Sequence, residues 1–286
     1  MQKIHARGYF WGLLILLVHC LPLPASAQDP LILAVHPYLP FSELTDRYTP
    51  LADYLGNQLG RNVVVRIGRN YKDHMGYIGR DEVDIAILGP ALYVTLVDKY
   101  GEKPLLARLE IDGKPVFHGK IITGKGSPIV SLADLKGKRF AFGDPESTMS
   151  HLVPRFMLLE AGVSADDLAD YQFLGSHTNV ALGVLAGDFD AGAVKEEVFY
   201  KFEQQGLKAL ATTPPFSEHV FVARSTLPTQ TVEAVREAMN QLKDTPEGQD
   251  ILSRIKKRLT GMVPAQDSDY DNLREILMTL QRHGIH

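Results

Sequence analysis

Three stretches of the chain place hydroxyl, imidazole or backbone N–H groups where a strand should give way to a helix. In the first, Gly143-Asp-Pro-Glu-Ser-Thr-Met-Ser-His-Leu-Val-Pro154 follows the apolar run Arg139–Phe142 and opens onto Leu152–Leu159. The run reads as a buried strand, the later segment as a helix. The first turn of a helix carries N–H groups without intrahelical partners and a positive partial charge, a setting that suits an anion. Gly143 lets the backbone turn and Pro145 fixes a bend. Ser147 and Thr148 supply hydroxyls; Ser150 and its neighbour Met149 supply first-turn N–H groups. An ordinary N-cap has the same composition, and the residues alone leave both readings open.

The second stretch is Gly175-Ser-His-Thr-Asn179, where His177 could donate to an oxyanion and its neighbours could cap the next helix. The third runs from Asp84 to Tyr93. Gly89-Pro90 ends a buried strand there, and Tyr93 lies one turn into the following helix; Pro90 is equally a good first helical residue. Tyr71 follows strand Val63–Ile67 in the same manner. His36 and Tyr38 lie beyond the first strand, at the end where ligands gather in doubly wound folds. Glu196 and Glu197 follow strand Asp190–Val194, facing either a cleft or water.

Catalytic signatures are missing. The sequence has no G-x-S-x-G, no G-x-x-x-x-G-K-[ST] and no G-x-G-x-x-G. His118, His151, His177 and His219 lack metal-binding spacing. The expectation is a binding protein, not an enzyme, with neither cofactor nor metal.

The N-terminus reads as an export signal. Lys3 and Arg7 precede the apolar run Phe10–Val18, and Ala25-Ser26-Ala27 forms a small-residue cleavage site. The expected signal peptide is 1–27, with the mature chain starting near Gln28 in a bacterial periplasm. An uncleaved anchor, or a lipoprotein built on Cys20, are the lesser readings. Cys20 is the only cysteine, so the mature chain has no disulfide and no thiolate ligand. Without Lys3 and Arg7, 28 basic residues face 34 acidic ones, a formal charge of −6. That balance argues against nucleic acid as a partner.

Strand patterns at Leu31–Val35, Val63–Ile67, Asp84–Leu88, Leu105–Leu109, Phe117–Thr123, Arg139–Phe142, Tyr171–Leu174, Asp190–Val194, Leu207–Ala211 and Val220–Ala223 alternate with helical patterns. Those helices are Leu44–Leu59, Tyr71–Ile78, Ala91–Tyr100, Ser150–Glu160, Asn179–Ala186 and Glu196–Gln205. Three more close the chain: Thr229–Leu242, Pro246–Arg258 and Ser268–Arg282. The alternation predicts an α/β fold with largely parallel sheets. Two lobes are expected: 28–122 and 123–215, with 216–286 returning to the first.

Together these pieces resemble the PhnD-like phosphate/phosphite/phosphonate-binding proteins of ABC importers, which are type II periplasmic solute-binding proteins. Phe142–Pro154 is similar to the family's D-P-x-S-T-S-G-x-L-x-P. Arg47–Leu55, Asp84-Ile-Ala86 with Gly89, Ser127-Pro128 with Leu132–Gly137, His177-Thr-Asn179 and Asp190–Ala193 add to the likeness. The resemblance implies two α/β lobes joined by crossing segments, with the ligand cleft between them. It implies that Ser147, Thr148 and nearby N–H groups hold the oxyanion with His177 and Tyr71. A family glutamate that binds a ligand amine falls on Glu197, or on Glu196 one residue away. Met149 and Ser150 stand where the family has Ser and Gly, and Leu88 aligns with a tyrosine used by the phosphonate binder. These departures favour a smaller oxyanion. The implied partners are that anion and an inner-membrane ABC permease, with the protein as a monomer. The alternative is a sensing module that presents the bound anion to a membrane sensor kinase.

Overall fold

A computed structural model describes residues 29–285; the expected signal peptide, with Cys20 and Ala25-Ser26-Ala27, lies outside them. Two mixed sheets form the centres of two lobes. The first has six strands in the order β13-β4-β12-β3-β1-β2. In chain order they are β1 (Leu31–Val35), β2 (Val63–Ile67), β3 (Ile85–Leu88), β4 (Leu105–Ile111), β12 (Val220–Ala223) and β13 (Leu259–Val263). The second has five strands, β10-β6-β9-β7-β8: β6 (Gly119–Gly124), β7 (Arg139–Phe142), β8 (Asp170–Phe173), β9 (Ala191–Lys195) and β10 (Leu207–Thr212).

Helices pack on both faces of each sheet, although β8 at the edge of the second stays exposed. Successive side chains along a strand point to opposite faces. In β3, Ile85 and Ile87 join a core containing Leu44, Leu51 and Leu55 of α1 (Phe41–Leu59). Ala86 and Leu88 join the opposite core, with α2 (Tyr71–Gly79), α3 (Pro90–Tyr100) and α9 (Asp271–Arg282). The apolar spacing Leu44, Tyr48, Leu51, Ala52, Leu55 gives α1 one buried stripe. In the second lobe, α4 (Val153–Glu160) covers one face, and α5 (His177–Ala186) and α6 (Glu196–Phe202) cover the other.

The sheets are mixed rather than largely parallel. Strands β1, β2 and β3 run parallel, as do β7, β8 and β9, whereas β4, β6, β10, β12 and β13 make antiparallel pairs. Strands β4, β6, β10 and β12 flank the two crossings between lobes, and β13 adds an antiparallel edge to the first sheet. A short ribbon of β5 (Val116–Phe117) and β11 (Phe216–Ser217) carries both crossings. His118 separates β5 from β6, so the single strand expected over Phe117–Thr123 is two. The boundary expected after residue 122 falls inside β6.

Two helix expectations also change. The segment expected as one helix over Ser150–Glu160 begins as a π-turn at Thr148–Leu152, where Leu152 N–H reaches back to Ser147 O. Helix α8 (Pro246–Ile255) stops short of Arg258, and Leu259–Val263 becomes an edge strand that pairs with β4. Helix α7 (Thr229–Gln241) lies before it.

Close approach of α5 to its sheet depends on Gly192 in β9. A Cβ there would meet Val180 Cγ1 at 2.6 Å and Ala141 O at 3.0 Å. Val180 is β-branched and fully buried, so it cannot rotate away. Gly192→Ala should cost about 1–3 kcal/mol of overpacking strain. At about 2–4 °C per kcal/mol, that lowers Tm by several degrees. An unchanged melting curve would remove this contact as a constraint.

Two interior histidines tie stability to pH. His74 Nε2 lies 3.0 Å from Ile87 O, and His151 Nδ1 lies 2.6 Å from Pro145 O. Burial is the largest influence on each and holds each pKa down to about 4, against the opposing pull of those carbonyls. An unfolded histidine titrates at about 6.5. Between those values the unfolded chain binds protons that the folded chain refuses. The contribution is therefore complete above about pH 6.5 and is lost as pH falls toward 4, by up to about 1.4 kcal/mol per pH unit per histidine. Urea midpoints should drop from pH 7 to pH 5, and His74→Gln should flatten the slope. A midpoint that does not move over that range would contradict this account.

Candidate functional site

Four helices begin at one interlobe cavity. Tyr71, Pro90 and His177 are the first residues of α2, α3 and α5, and Thr148 is the first of the π-turn that leads into α4. All four line the cavity, together with Tyr38, Ser147 and Met149. Its walls also include His36, Glu146, Lys195 and His219. The free volume is small, about 20 Å³. Helix starts point unpaired N–H groups and positive partial charge at this space.

The hydroxyls are poised as donors. Ser147 Oγ accepts from Ser150 N at 3.3 Å, and Thr148 Oγ1 accepts from Ala91 N at 3.0 Å. Each hydroxyl thus has its acceptor side engaged by an amide and keeps its own proton for another partner. Burial, followed by the nearby charge of Asp144, pushes the Tyr71 phenol well above its usual range, so it too remains a donor.

The tautomer of His177 is fixed by the backbone. Its Nδ1 lies 3.0 Å from the Lys195 amide nitrogen. An amide only donates, so Nδ1 accepts and the proton sits on Nε2. Burial and then the Lys195 charge hold the His177 pKa down to about 3. At neutral pH the ring is an uncharged single donor.

Charge enters through Lys195, at the end of β9. Its Nζ lies 4.6 Å from the Tyr38 ring centroid and 3.1 Å from Glu197 Oε2. Burial lowers its pKa, and the Glu197 charge works in the opposite direction. A second ionic chain supports the far wall. Glu218 is fully buried, with one carboxylate oxygen 2.8 Å from Lys256 Nζ and the other 2.7 Å from His219 Nδ1. Burial alone would raise the Glu218 carboxyl; Lys256 and His219 overturn that and hold it far below the usual range. His219 stacks on His36, with centroids 5.2 Å apart and planes 19° apart.

Glu146 is the cavity's one carboxylate. Its Oε2 is buried without a hydrogen-bond partner. Burial and then the charge of Asp144 raise its pKa.

Four expected site residues lie elsewhere. Tyr93 turns away from the cavity: its hydroxyl donates to Asp267 Oδ1 at 2.7 Å, and its ring packs 4.7 Å from Tyr270. Ser150 Oγ is buried against Gly143, where a Cβ would approach it to 2.2 Å. Glu196 and Glu197 open α6 and line an outer groove with Tyr200 and Arg258. Glu196 Oε1 accepts from His118 N at 3.4 Å, and Glu197 is engaged by Lys195, with Lys256 at 4.0 Å. Neither glutamate lines the interlobe cavity, although Glu197 reaches Lys195 in its wall from behind.

Lys195, His219 and Glu146 were not expected. A lysine closing the buried strand Ala191–Lys195 was a readable signal, since ligands gather at such strand ends. His219 was not readable on that rule. Strand β12 runs antiparallel to β3 with Val220 opposite Leu88, so it brings its N-terminal end to the cavity. Among the described residues no group of three or more His, Cys, Asp or Glu is arranged to hold a metal ion, and no helix is long and apolar enough to cross a membrane.

Residues 33–270 match the family described as ABC transporter, phosphonate, periplasmic substrate-binding protein. The chain is 28% identical over 273 residues to the phosphate-import protein PhnD of Mycolicibacterium smegmatis, covering 87% of this chain and 85% of that one. It is 27% identical over 223 residues to the phosphonates-binding periplasmic protein of Escherichia coli, covering 74% and 66%. Its fold matches the structure of PhnD1 from Prochlorococcus marinus in complex with methylphosphonate, with a TM-score of 0.80, 22% identity and coverage of 88% and 98%. With its two lobes, its interlobe cavity and a match over most of its length, the chain belongs to the periplasmic substrate-binding proteins of phosphonate ABC transporters, a transporter component and not an enzyme.

Proposed function

We propose that the cavity captures a compact phosphate-type oxyanion, such as phosphate, phosphite or methylphosphonate, and delivers it to an ABC permease. The convergence of four helix starts on one small cavity carries this reading. Ser147, Thr148 and Tyr71 donate hydroxyl protons, His177 donates from Nε2, and the first-turn amides of Thr148 and Met149 add two more bonds. Lys195 supplies the neighbouring positive charge. Tyr38 and Pro90 shape the wall; Tyr93, Ser150, Glu196 and Glu197 support it from outside. The M. smegmatis relative is named for phosphate import and the Prochlorococcus structure holds methylphosphonate, which agrees with a ligand of this size. No observation favours the sensor-kinase alternative.

Glu146 gives the site its selectivity. A carboxylate facing an anion repels it unless a proton lies between them. Phosphate and phosphonate monoanions carry such a proton, and sulfate at neutral pH does not. The small cavity and the pairing of Glu197 with Lys195 also leave an aminoalkyl chain no place to bind.

We further infer that the chain is exported, cleaved after Ala27, and works as a monomer. Native mass spectrometry of the exported protein should read a single chain beginning at Gln28. A retained leader or a stable dimer would reject that inference.

Calorimetry of ligand-free protein tests the binding reading. Micromolar affinity corresponds to about −8 kcal/mol, within reach of several charge-assisted bonds at about 1.5–3 kcal/mol each. Phosphate, phosphite or methylphosphonate should bind, and sulfate should bind at least roughly tenfold more weakly because of the like-charge contact. Ser147→Ala combined with Thr148→Ala should weaken binding by at least about tenfold. Glu146→Gln should narrow the gap to sulfate. Absence of heat from every one of these anions would sink the oxyanion reading.

A further inference from the structure

Four charged Lys, Arg, Asp or Glu side chains are buried among the described residues: Lys103, Arg155, Lys195 and Glu218. Lys103 pairs with Asp81 at 2.7 Å, Lys195 with Glu197 at 3.1 Å and Glu218 with Lys256 at 2.8 Å. Arg155 is the exception. It is 5% exposed, no carboxylate of the described residues lies within ion-pair distance, and its Nη1 is buried without a hydrogen-bond partner. A guanidinium presents five donors and never loses its charge, so a buried one without an acceptor calls for a counter-ion from elsewhere.

Arg155 lines a pocket of about 450 Å³ between the second lobe and the residues that follow α9, His283, Gly284 and Ile285; it shares no lining residue with the interlobe cavity. Beside it lie the rings of Tyr171 and Phe173 on β8, an edge strand. These rings are 41% and 40% exposed, unusual for large apolar side chains side by side. The guanidinium carbon lies 5.7 Å from the Tyr171 centroid, a contact that leaves its in-plane donors open. His151 and His283 also line the wall. The Nδ1 of His151 is taken by Pro145 O and the His151 ring stands edge-on to Phe173 at 4.8 Å. As an uncharged ring it adds no positive charge and leaves Nε2 as an acceptor. Asp166, on the rim, lies beyond ion-pair distance of Arg155.

We propose that this pocket is a second ligand site, for a small aromatic ring bearing a carboxylate or phosphate. The oxyanion takes the open donors of Arg155, and the ring covers Tyr171 and Phe173. The protein then carries two separate anion sites, one for a compact ion and one for an aromatic anion.

Calorimetry with benzoate and with phenyl phosphate, alone and in saturating inorganic phosphate, tests the site. Both probes should bind with submillimolar Kd, and added phosphate should not displace them. Arg155→Met should weaken them by at least about tenfold through loss of the charge-assisted bonds. Tyr171→Ala should weaken them by about three- to tenfold through loss of ring contact. Ser147→Ala with Thr148→Ala should leave them unchanged. Thermal unfolding supplies a readout independent of any ligand: Arg155→Met should keep or raise the Tm of the unliganded protein, because it removes an uncompensated buried charge. No binding of either probe at 10-fold above about 1 mM, displacement by phosphate, or a lowered Tm in Arg155→Met would each overturn the proposal.

Discussion

Removing an oxyanion from water is the demand that organises this molecule. The cost of desolvation is large, and in a low-dielectric interior it is offset only by donors already held in place. Long-range attraction cannot help much, since the chain carries a formal charge of −4 and a carboxylate stands in the cavity wall. The solution is local. Strands β2, β3, β7 and β8 lead into α2, α3, the π-turn and α5, all of which begin at the cleft, so their first-turn amides meet at one point. Each such helix start contributes a fraction of a unit charge and a few fixed donors. Their sum takes the place of a full counter-ion, with Lys195 adding the one formal charge close at hand.

The contacts that close the lobes are contacts of the site itself. Thr148 belongs to the second lobe and accepts from Ala91 in the first. Met149 joins an apolar cluster with Ala91 and Leu92, and its sulfur lies 3.7 Å from Thr213 Oγ1. The ammonium of Lys195 in the second lobe lies over Tyr38 in the first. Separating the lobes would break all three and would also pull the donors apart. Closure and full coordination therefore stand or fall together, and the measured affinity is the intrinsic affinity reduced by the closed fraction. Both crossings run through the same two-stranded β5–β11 ribbon, which is the geometry of a hinge.

Residues whose position follows from local rules were legible in the sequence. Tyr71, Thr148 and His177 each follow a recognisable apolar strand, and strand-then-helix order alone places them at one end of a parallel βα unit. The boundaries of β1, β2, β7 and β12 were readable for the same reason: short apolar runs between turn residues. Antiparallel pairing was not legible. It depends on where the chain crosses between lobes, and nothing near Leu259–Val263 distinguishes an edge strand from the end of a helix. That single gap explains why His219 escaped notice, since only an antiparallel β12 brings it to the cavity. Tyr93 failed differently. Helical spacing put it near the site, but its hydroxyl found Asp267, which is 174 positions away and invisible to any local rule.

Met149 shows how one departure from the family pattern changes the chemistry. The related motif has a serine there, so a hydroxyl has been exchanged for a thioether. The amide of that residue remains, and with it one donor. The side chain now fills the space beside Gly119, where a Cβ would lie 3.1 Å from its sulfur. The cavity loses polar lining and volume together. Both changes act in one direction: fewer oxygens to satisfy and less room for a substituent. His36 and His219, stacked on each other, add flat faces to the cavity wall. On the proposed reading, selectivity for a compact oxyanion arises from filling the space around it, with the donors themselves left where the helix starts place them.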